Sequence, residues 1–256
     1  MNIIETLKGD SPLIHCLTNS VTANDCANAL LAIGARPVMA EHPDESAQIT
    51  SVSSALLVNT GTPTSSKIEA IKNSVRCAYK NNIPYVLDCV GISSSTLRLN
   101  FVRELISENL PTVIKGNSAE ISALSTDHLS FGGVDSLIQI EEETAYNLAK
   151  ELRTVIFVTG KRDIITDGKK IYVSENGCQN LSKITGSGCM LGCLCAAFLT
   201  VSNPLDASVL SAAIMGICGE LADIKKGLGT FRVSLMDNLS TITDIDIKKY
   251  IKVRKL

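Results

Sequence analysis

The sequence has almost no net charge to offer a polyanion. Its 24 Lys and Arg residues stand against 26 Asp and Glu, a formal charge of −2. That balance leaves no basic stripe for the phosphates of a nucleic acid and no polybasic anchor for an anionic membrane surface. Nine cysteines are present, five of them (Cys178, Cys189, Cys193, Cys195 and Cys218) in the last third, but they lack the Cys-x-x-Cys and His-x3-His spacings of a zinc site. No long hydrophobic run occurs. The most apolar stretch, Met190 to Val201, is about twelve residues, short of the roughly 20 needed to cross a bilayer, and reads as a buried helix. Met-Asn-Ile-Ile-Glu-Thr-Leu-Lys at the start lacks the basic opening and apolar core of a signal peptide. With scattered cysteines, the expectation is a cytoplasmic protein with free thiols. The GxxxxGK[ST] P-loop is missing, and Gly186-x-Gly188 continues to Gly192 rather than completing GxGxxG, which disfavours a Rossmann dinucleotide site. What remains, with no tryptophan, 4% aromatic, 45% hydrophobic and 20% charged residues, is the composition of a soluble globular protein whose partners are small molecules.

What is present is an alternation of short β-branched runs with segments of helical period. Ala55 to Asn59, a Gly-Thr-Pro turn, and Ser65 to Lys80 with Ile68, Ile71, Val75 and Tyr79 three or four apart form a β-α unit. The alternation recurs as Ile83 to Asp88 then Ser94 to Glu108, as Thr112 to Lys115 then Asn117 to Leu124, and as a strand from Thr154 to Val158. It predicts an α/β fold with a mostly parallel central sheet and helices on both faces. Asp167-Gly168 between Ile-Ile-Thr and Lys-Lys-Ile-Tyr-Val reads as a hairpin, hence an antiparallel edge. Helices are expected over Gly188 to Val201, Leu205 to Lys226 and Thr230 to Ile242, and the basic tail Lys248 to Lys255 as a solvated end. Without a Pro-rich linker, repeat or low-complexity tract, one domain over residues 1–256 is expected.

Ligands of open α/β sheets bind beyond the carboxyl ends of the strands. Those ends read Asn59-Thr60-Gly61-Thr62, Asp88-Cys89-Val90-Gly91, Lys115-Gly116-Asn117 and Thr159-Gly160. Each alone is an ordinary tight turn; four in register would line one rim. Asn117 with Glu120 has the spacing of a capping box, and Glu120, opposite Asp88, could also help hold a water-coated Mg²⁺. Thr185-Gly186-Ser187-Gly188-Cys189-Met190 opens an apolar helix, where consecutive N–H groups and the helix dipole suit a phosphate. Cys189 on that first turn is either a small buried hydrophobe or a thiol whose pKa the same field depresses. His15, His42 and His128 are isolated, and His15 before Cys16 and the polar turn Thr18-Asn19 reads as a satisfied structural histidine.

These residues together resemble the hydroxyethylthiazole kinase family, thiamine-salvage enzymes of the ribokinase-like superfamily, over nearly the full length. The matching blocks are His15-Cys16-Leu17-Thr18-Asn19, Gly34 to Ala40, Val58 to Thr62, Lys115-Gly116-Asn117 with Glu120, Gly132-Gly133-Val134-Asp135-Ser136, Val158-Thr159-Gly160, Thr185 to Met190 and Gly227 to Val233. The resemblance implies transfer of the ATP γ-phosphoryl group to the hydroxyl of 4-methyl-5-(2-hydroxyethyl)thiazole. It further implies an anion hole at Gly186, Ser187, Gly188 and Cys189, with Cys189 where related kinases carry an aspartate base. By motif position, Met39 and Gly186 would contact the thiazole, Lys115 and Thr159 the nucleotide, and Asp88 and Glu120 the Mg²⁺ region, in a homotrimer with sites at subunit interfaces.

Two segments depart from the family pattern. Lys115 stands where the family commonly has Arg, keeping the charge but losing the bidentate fork. Asp88-Cys89-Val90-Gly91 stands for Asp-Pro-Val-Gly, altering the loop that would place the metal. Two alternatives stay open: a related kinase of another heterocyclic alcohol, of the hydroxymethylpyrimidine type, and a catalytically silent nucleotide-binding regulator. A thiol hydrolase built on Cys189 lacks a placeable His.

Overall fold

The computed structural model describes residues 2–125 and 142–256; His128 and the Gly132–Ser136 block lie outside them. The first half runs α1 (Ile3–Asp10), β1 (Leu13–Leu17), α2 (Ala23–Ala32), β2 (Arg36–Val38), α3 (Pro43–Ser51), β3 (Ala55–Asn59), α4 (Ser65–Lys80), β4 (Tyr85–Asp88), α5 (Thr96–Glu108), β5 (Val113–Asn117) and α6 (Ser118–Ser125). The second runs α7 (Glu142–Leu152), β6 (Val155–Thr159), β7 (Asp163–Thr166), β8 (Ile171–Ser174), α8 (Ser187–Phe198), α9 (Pro204–Ala222), α10 (Leu228–Thr241), α11 (Asp244–Tyr250) and β9 (Val253–Lys255). The strands form one sheet in the order β2-β1-β3-β4-β5-β6-β7-β8-β9. β2 through β6 pair in parallel, and β6 through β9 antiparallel.

Helices cover both faces because the strands are apolar on both. Leu57, Val86, Val113 and Phe157 point into a core closed by α1, α2, α8, α9, α10 and α11. Leu56, Leu87, Ile114 and Ile156 point the other way, under α4, α5, α6 and α7. Helix starts are fixed by side-chain caps: Thr64 accepts from Lys67 N at 3.1 Å, and Asn203, before Pro204, accepts from Asp206 N at 3.0 Å. The 19-residue α9 is long and apolar enough to cross a bilayer, yet it packs inside this fold as a core helix.

The mostly parallel sheet, its antiparallel edge and the Asp167-Gly168 hairpin match the expectation. The basic tail does not. Rather than a solvated end, Val253–Lys255 is the outermost strand, paired antiparallel with β8 from Tyr172↔Lys255 to Ser174↔Val253. It is held there because Asn176 Oδ1 accepts from Lys252 N at 2.7 Å and Asn176 Nδ2 donates to the Tyr250 carbonyl at 2.9 Å. Its charged side chains suit an edge, where they discourage further strand addition.

Candidate active site

Side chains alternate along a strand, so Asn59, Asp88 and Lys115 share a face with Leu57, Val86 and Val113, the face that α8 covers. They are also consecutive partners across β3, β4 and β5, Asn59 opposite Asp88 and Asp88 opposite Lys115. Three polar side chains thus stand in a row at the carboxyl ends of the strands. Asp88 Oδ1 accepts from Lys115 Nζ at 2.8 Å and Asp88 Oδ2 from Asn59 Nδ2 at 2.7 Å. Burial works against the Lys115 charge, but the attraction of Asp88 and their hydrogen bond outweigh it and raise the ammonium pKa.

The first turn of α8 lies over this row. Gly186 takes a left-handed conformation (φ 90°), and a Cβ there would come within 2.9 Å of Thr22 Cγ2, so both backbone shape and space require glycine. The first intrahelical bond is Met190 N to Gly186 O at 2.8 Å. The N–H groups of Ser187, Gly188 and Cys189 belong to the turn that has no intrahelical acceptor, the geometry that binds an anion. A Cβ on Gly188 would lie 3.8 Å from Lys115 Nζ, so the ammonium abuts that turn. Gly192, one turn on, lets the helix approach the sheet, since a Cβ there would be 3.2 Å from Leu57 Cδ1 and 3.4 Å from Asp88 Oδ2.

Cys189 is buried at the centre, and Asn19 Nδ2 and Asn59 Nδ2 each donate to its sulfur at 3.3 Å. The amide orientations are set by backbone donors: Asn19 Oδ1 accepts from Thr22 N at 3.1 Å and Asn59 Oδ1 from Gly61 N at 2.9 Å. Of the two readings open for Cys189, the depressed thiol pKa is not the one found. Burial, and next the Asp88 carboxylate, push it above its ordinary value, outweighing Lys115 and the Thr22 hydroxyl. Cys189 is therefore a neutral thiol whose sulfur accepts two hydrogen bonds. Neither asparagine has a role in the sequence reading; their one signal is position, each at or just past a strand end.

Glu120 accepts from Asn117 N at 2.8 Å while Asn117 Oδ1 accepts from Glu120 N at 3.0 Å, the reciprocal bonds of a capping box. Its other oxygen accepts from Gly91 N at 2.8 Å, tying the Asp88–Gly91 loop to α6. Burial raises its pKa, the two backbone bonds lower it, and the Asp88 charge raises it further. Among the described residues no group of three or more His, Cys, Asp or Glu side chains is arranged to cage a metal. Asp88 and Glu120 do set two carboxylates beside the Lys115 ammonium, with the Arg98 guanidinium donating to the Val90 carbonyl at 3.3 Å in the same loop.

Met39 and Thr159 do not join this cluster; they bracket it. Met39 follows the outer strand β2 and is partly buried against the first core, whereas Thr159 ends β6 opposite Asn117. About five strand spacings separate β2 from β6, roughly 24 Å, so the two lie on opposite sides of the cluster and cannot touch one small ligand together. His15 is a satisfied structural histidine, as expected: Nε2 donates to the Ala40 carbonyl at 2.7 Å, Nδ1 lies 2.8 Å from the Thr50 hydroxyl, and burial lowers its pKa.

A row of polar strand ends facing a glycine-rich helix start, on a mostly parallel sheet with an antiparallel edge, defines a ribokinase-like fold. A ribokinase-like superfamily protein from Enterococcus faecalis superposes with a TM-score of 0.67 over 95% of this chain and 89% of its own, at 15% identity. The particular family follows from closer matches. The family model described as the hydroxyethylthiazole kinase family matches residues 4–244. A protein named hydroxyethylthiazole kinase 2, from Clostridium botulinum, is 45% identical over 99% of both chains. The structure of a hydroxyethylthiazole kinase from Pyrococcus horikoshii superposes with a TM-score of 0.91 at 34% identity, covering 99% of this chain and 97% of that one. The chain belongs to the hydroxyethylthiazole kinase family.

Proposed function

We propose that this chain, as a single kinase domain over residues 1–256, transfers the γ-phosphoryl group of ATP to the hydroxyl of 4-methyl-5-(2-hydroxyethyl)thiazole. The observation that carries the reading is the convergence of Asn19, Asn59, Asp88 and Lys115 on the Cys189 helix start in a chain of this family. Phosphoryl transfer asks a protein mainly for alignment and for stabilisation of charge on the moving group. The N–H groups of Gly186, Ser187, Gly188 and Cys189 form the anion hole, and Lys115 adds a fixed positive charge beside it. The thiazole lies on the Met39 and Gly186 side, the nucleotide on the Lys115 and Thr159 side. Cys189 orients the substrate hydroxyl as a thiol or, once it has lost its own proton, takes the hydroxyl proton late, when bond formation has made that proton acidic. The Asn19 and Asn59 amides, both donating to the sulfur, favour the thiolate that would act as that base.

Asp88 and Glu120 suit Mg²⁺ reached through its water shell, because both offer hard carboxylate oxygens at the strand-end rim that already accept protein hydrogen bonds. Bound there, the ion would supply neutralisation of phosphate charge. The assembly is a homotrimer with composite sites. Its support is the exposed apolar surface of α2 and α10, where Leu31 and Val233 line a groove of about 750 Å³. Nine free thiols support a cytoplasmic location.

The test is incubation with ATP, Mg²⁺ and a panel of thiazole, pyrimidine and sugar alcohols, following ADP and phosphorylated product. Preferential turnover of the thiazole alcohol is expected. A preferred pyrimidine alcohol, or nucleotide binding without turnover, would overturn the reading. Light scattering should give a trimer mass; a fully active monomer at micromolar concentration would exclude composite sites.

A further inference from the structure

Lys67 is a buried cation with no part in the site as described. It sits on the first turn of α4, its backbone N–H bound by the Thr64 cap at 3.1 Å, and its side chain is 5% exposed. The ammonium donates to the Thr18 carbonyl, and to the Gly61 carbonyl at 3.1 Å. Those carbonyls belong to two different strand-end loops, one after β1 and one after β3. Thr18 adjoins Asn19, and Gly61 N is the donor that orients Asn59 at 2.9 Å. The same loops touch again where Ser20 N donates to Thr62 Oγ1 at 3.4 Å and Asn19 Nδ2 donates to Asn59 Oδ1 at 3.2 Å.

We propose that Lys67 is a positioning residue: its ammonium clamps the β1 and β3 loops together and so holds the Asn19 and Asn59 amides on the Cys189 sulfur. A cation bridging two carbonyls is not required by packing, since a burial-compatible side chain such as Met would fill the same channel without the charge. What the ammonium adds is a fixed distance between loops that would otherwise meet only through weak polar contacts. Misplacement of reacting groups by about 1 Å costs on the order of 100-fold in rate, so a small slip between these loops has a measurable price.

The clamp also carries a pH signature. Burial lowers the Lys67 pKa to about 8; Glu41 and Cys189 act to raise it and Arg98 to lower it. The ammonium is present below that value and lost above it. The sign for stability is opposite to the sign for function. The unfolded chain keeps the proton up to the ordinary lysine value of 10.5, so folding gains on this account as pH rises from about 8. Activity should fall over the same interval as the clamp releases, a divergence that a purely structural lysine would not produce.

The inference rests on the proposed kinase reading only for its rate measurements. The variants are Lys67→Met and Lys67→Arg, each checked for a cooperative thermal transition. The first readout needs no substrate: hydrogen exchange by mass spectrometry. Lys67→Met should speed exchange in residues 18–22 and 60–64 with the sheet interior unchanged, and Lys67→Arg should restore protection. The second readout is turnover of the thiazole alcohol. Lys67→Met should lower kcat about 10- to 100-fold with KM for ATP little changed, and Lys67→Arg should recover most of kcat and lack the alkaline fall near pH 8. If the parent turns over no thiazole alcohol, the kinase reading fails and the exchange data alone decide the clamp. Unchanged exchange in both loops, or Lys67→Met with parental kcat in an active background, would overturn it.

Discussion

Asn59 and Cys189 are joined through an amide that serves two acceptors, donating to the sulfur at 3.3 Å and to Asp88 Oδ2 at 2.7 Å. The helix thiol and the sheet carboxylate therefore share one fixed dipole. Because Asn59 Oδ1 is held by Gly61 N and Asn19 Nδ2, the amide cannot turn its oxygen toward the sulfur without leaving those donors facing nothing.

Replacing Asn59 by Ala removes both donations and leaves buried acceptors short of a partner. A loss of about 1–3 kcal/mol in stability is expected, with kcat down on the order of 100-fold as the sulfur loses its orientation. Urea denaturation and initial rates check it. Parental kcat in a destabilised variant would reduce Asn59 to a packing role.

Lys115 and Asp88 are 3% and 1% exposed, so neither charge can fall back on water. Lys115→Met should cost about 3–5 kcal/mol, because it strands a buried carboxylate. The double variant Lys115→Met with Asp88→Asn should recover much of that loss in urea midpoint while remaining inactive. A double variant as unstable as the single one would mean that the pair's geometry, not its charge, holds the strand ends together.

Much of the scaffold is legible in the sequence, for local reasons. The runs before Asn59 and Asp88 alternate toward two apolar cores, Asp167-Gly168 supplies the turn chemistry of a hairpin, and the capping box of Asn117 and Glu120 is visible in its spacing. β1 and β2 are not legible. The first places His15 in a buried run, and the second is three residues containing Pro37, tolerable only at an edge. β9 fails for a different reason: Val253 to Lys255 reads as charge, and only the Asn176 bonds reveal a strand. The site is legible residue by residue but not as an assembly. Nothing local shows that Asn19 donates to a sulfur 170 positions away, or that burial and Asp88 reverse the helix field's effect on Cys189.

Gly186→Ala tests the anion hole. The φ of 90° and the approach to Thr22 Cγ2 both oppose a side chain there. The strained conformation alone costs on the order of 1–3 kcal/mol. If the turn instead relaxes, the N–H groups of Ser187, Gly188 and Cys189 lose their common focus. Either route should lower kcat far more than it weakens nucleotide binding, read from single-turnover rates against ADP titration. Equal losses in both would place Gly186 in nucleotide binding alone.

The sharpest prediction concerns Cys189. Burial and Asp88 keep it a neutral thiol, so its alkylation should be slow until the pH passes its ordinary value of 9.0. A neutral thiol can orient the alcohol but cannot take its proton; base action requires the minor thiolate form, to whose charge Asn19 and Asn59 are already placed to donate. Cys189→Ala removes that sulfur and leaves the backbone donors of Gly186 to Gly188 in place. Its kcat should fall by about 10²- to 10⁴-fold, with nucleotide affinity little changed. Cys189→Asp supplies a carboxylate at the same point. The helix start and Lys115 favour its charge and both asparagine amides can donate to it, while Asp88 opposes it. Its kcat should equal or exceed that of the cysteine parent. An alanine variant with parental kcat at saturating substrate would mean that the sulfur takes no part, and the rate would have to come from the anion hole and Lys115 without a proton acceptor on α8.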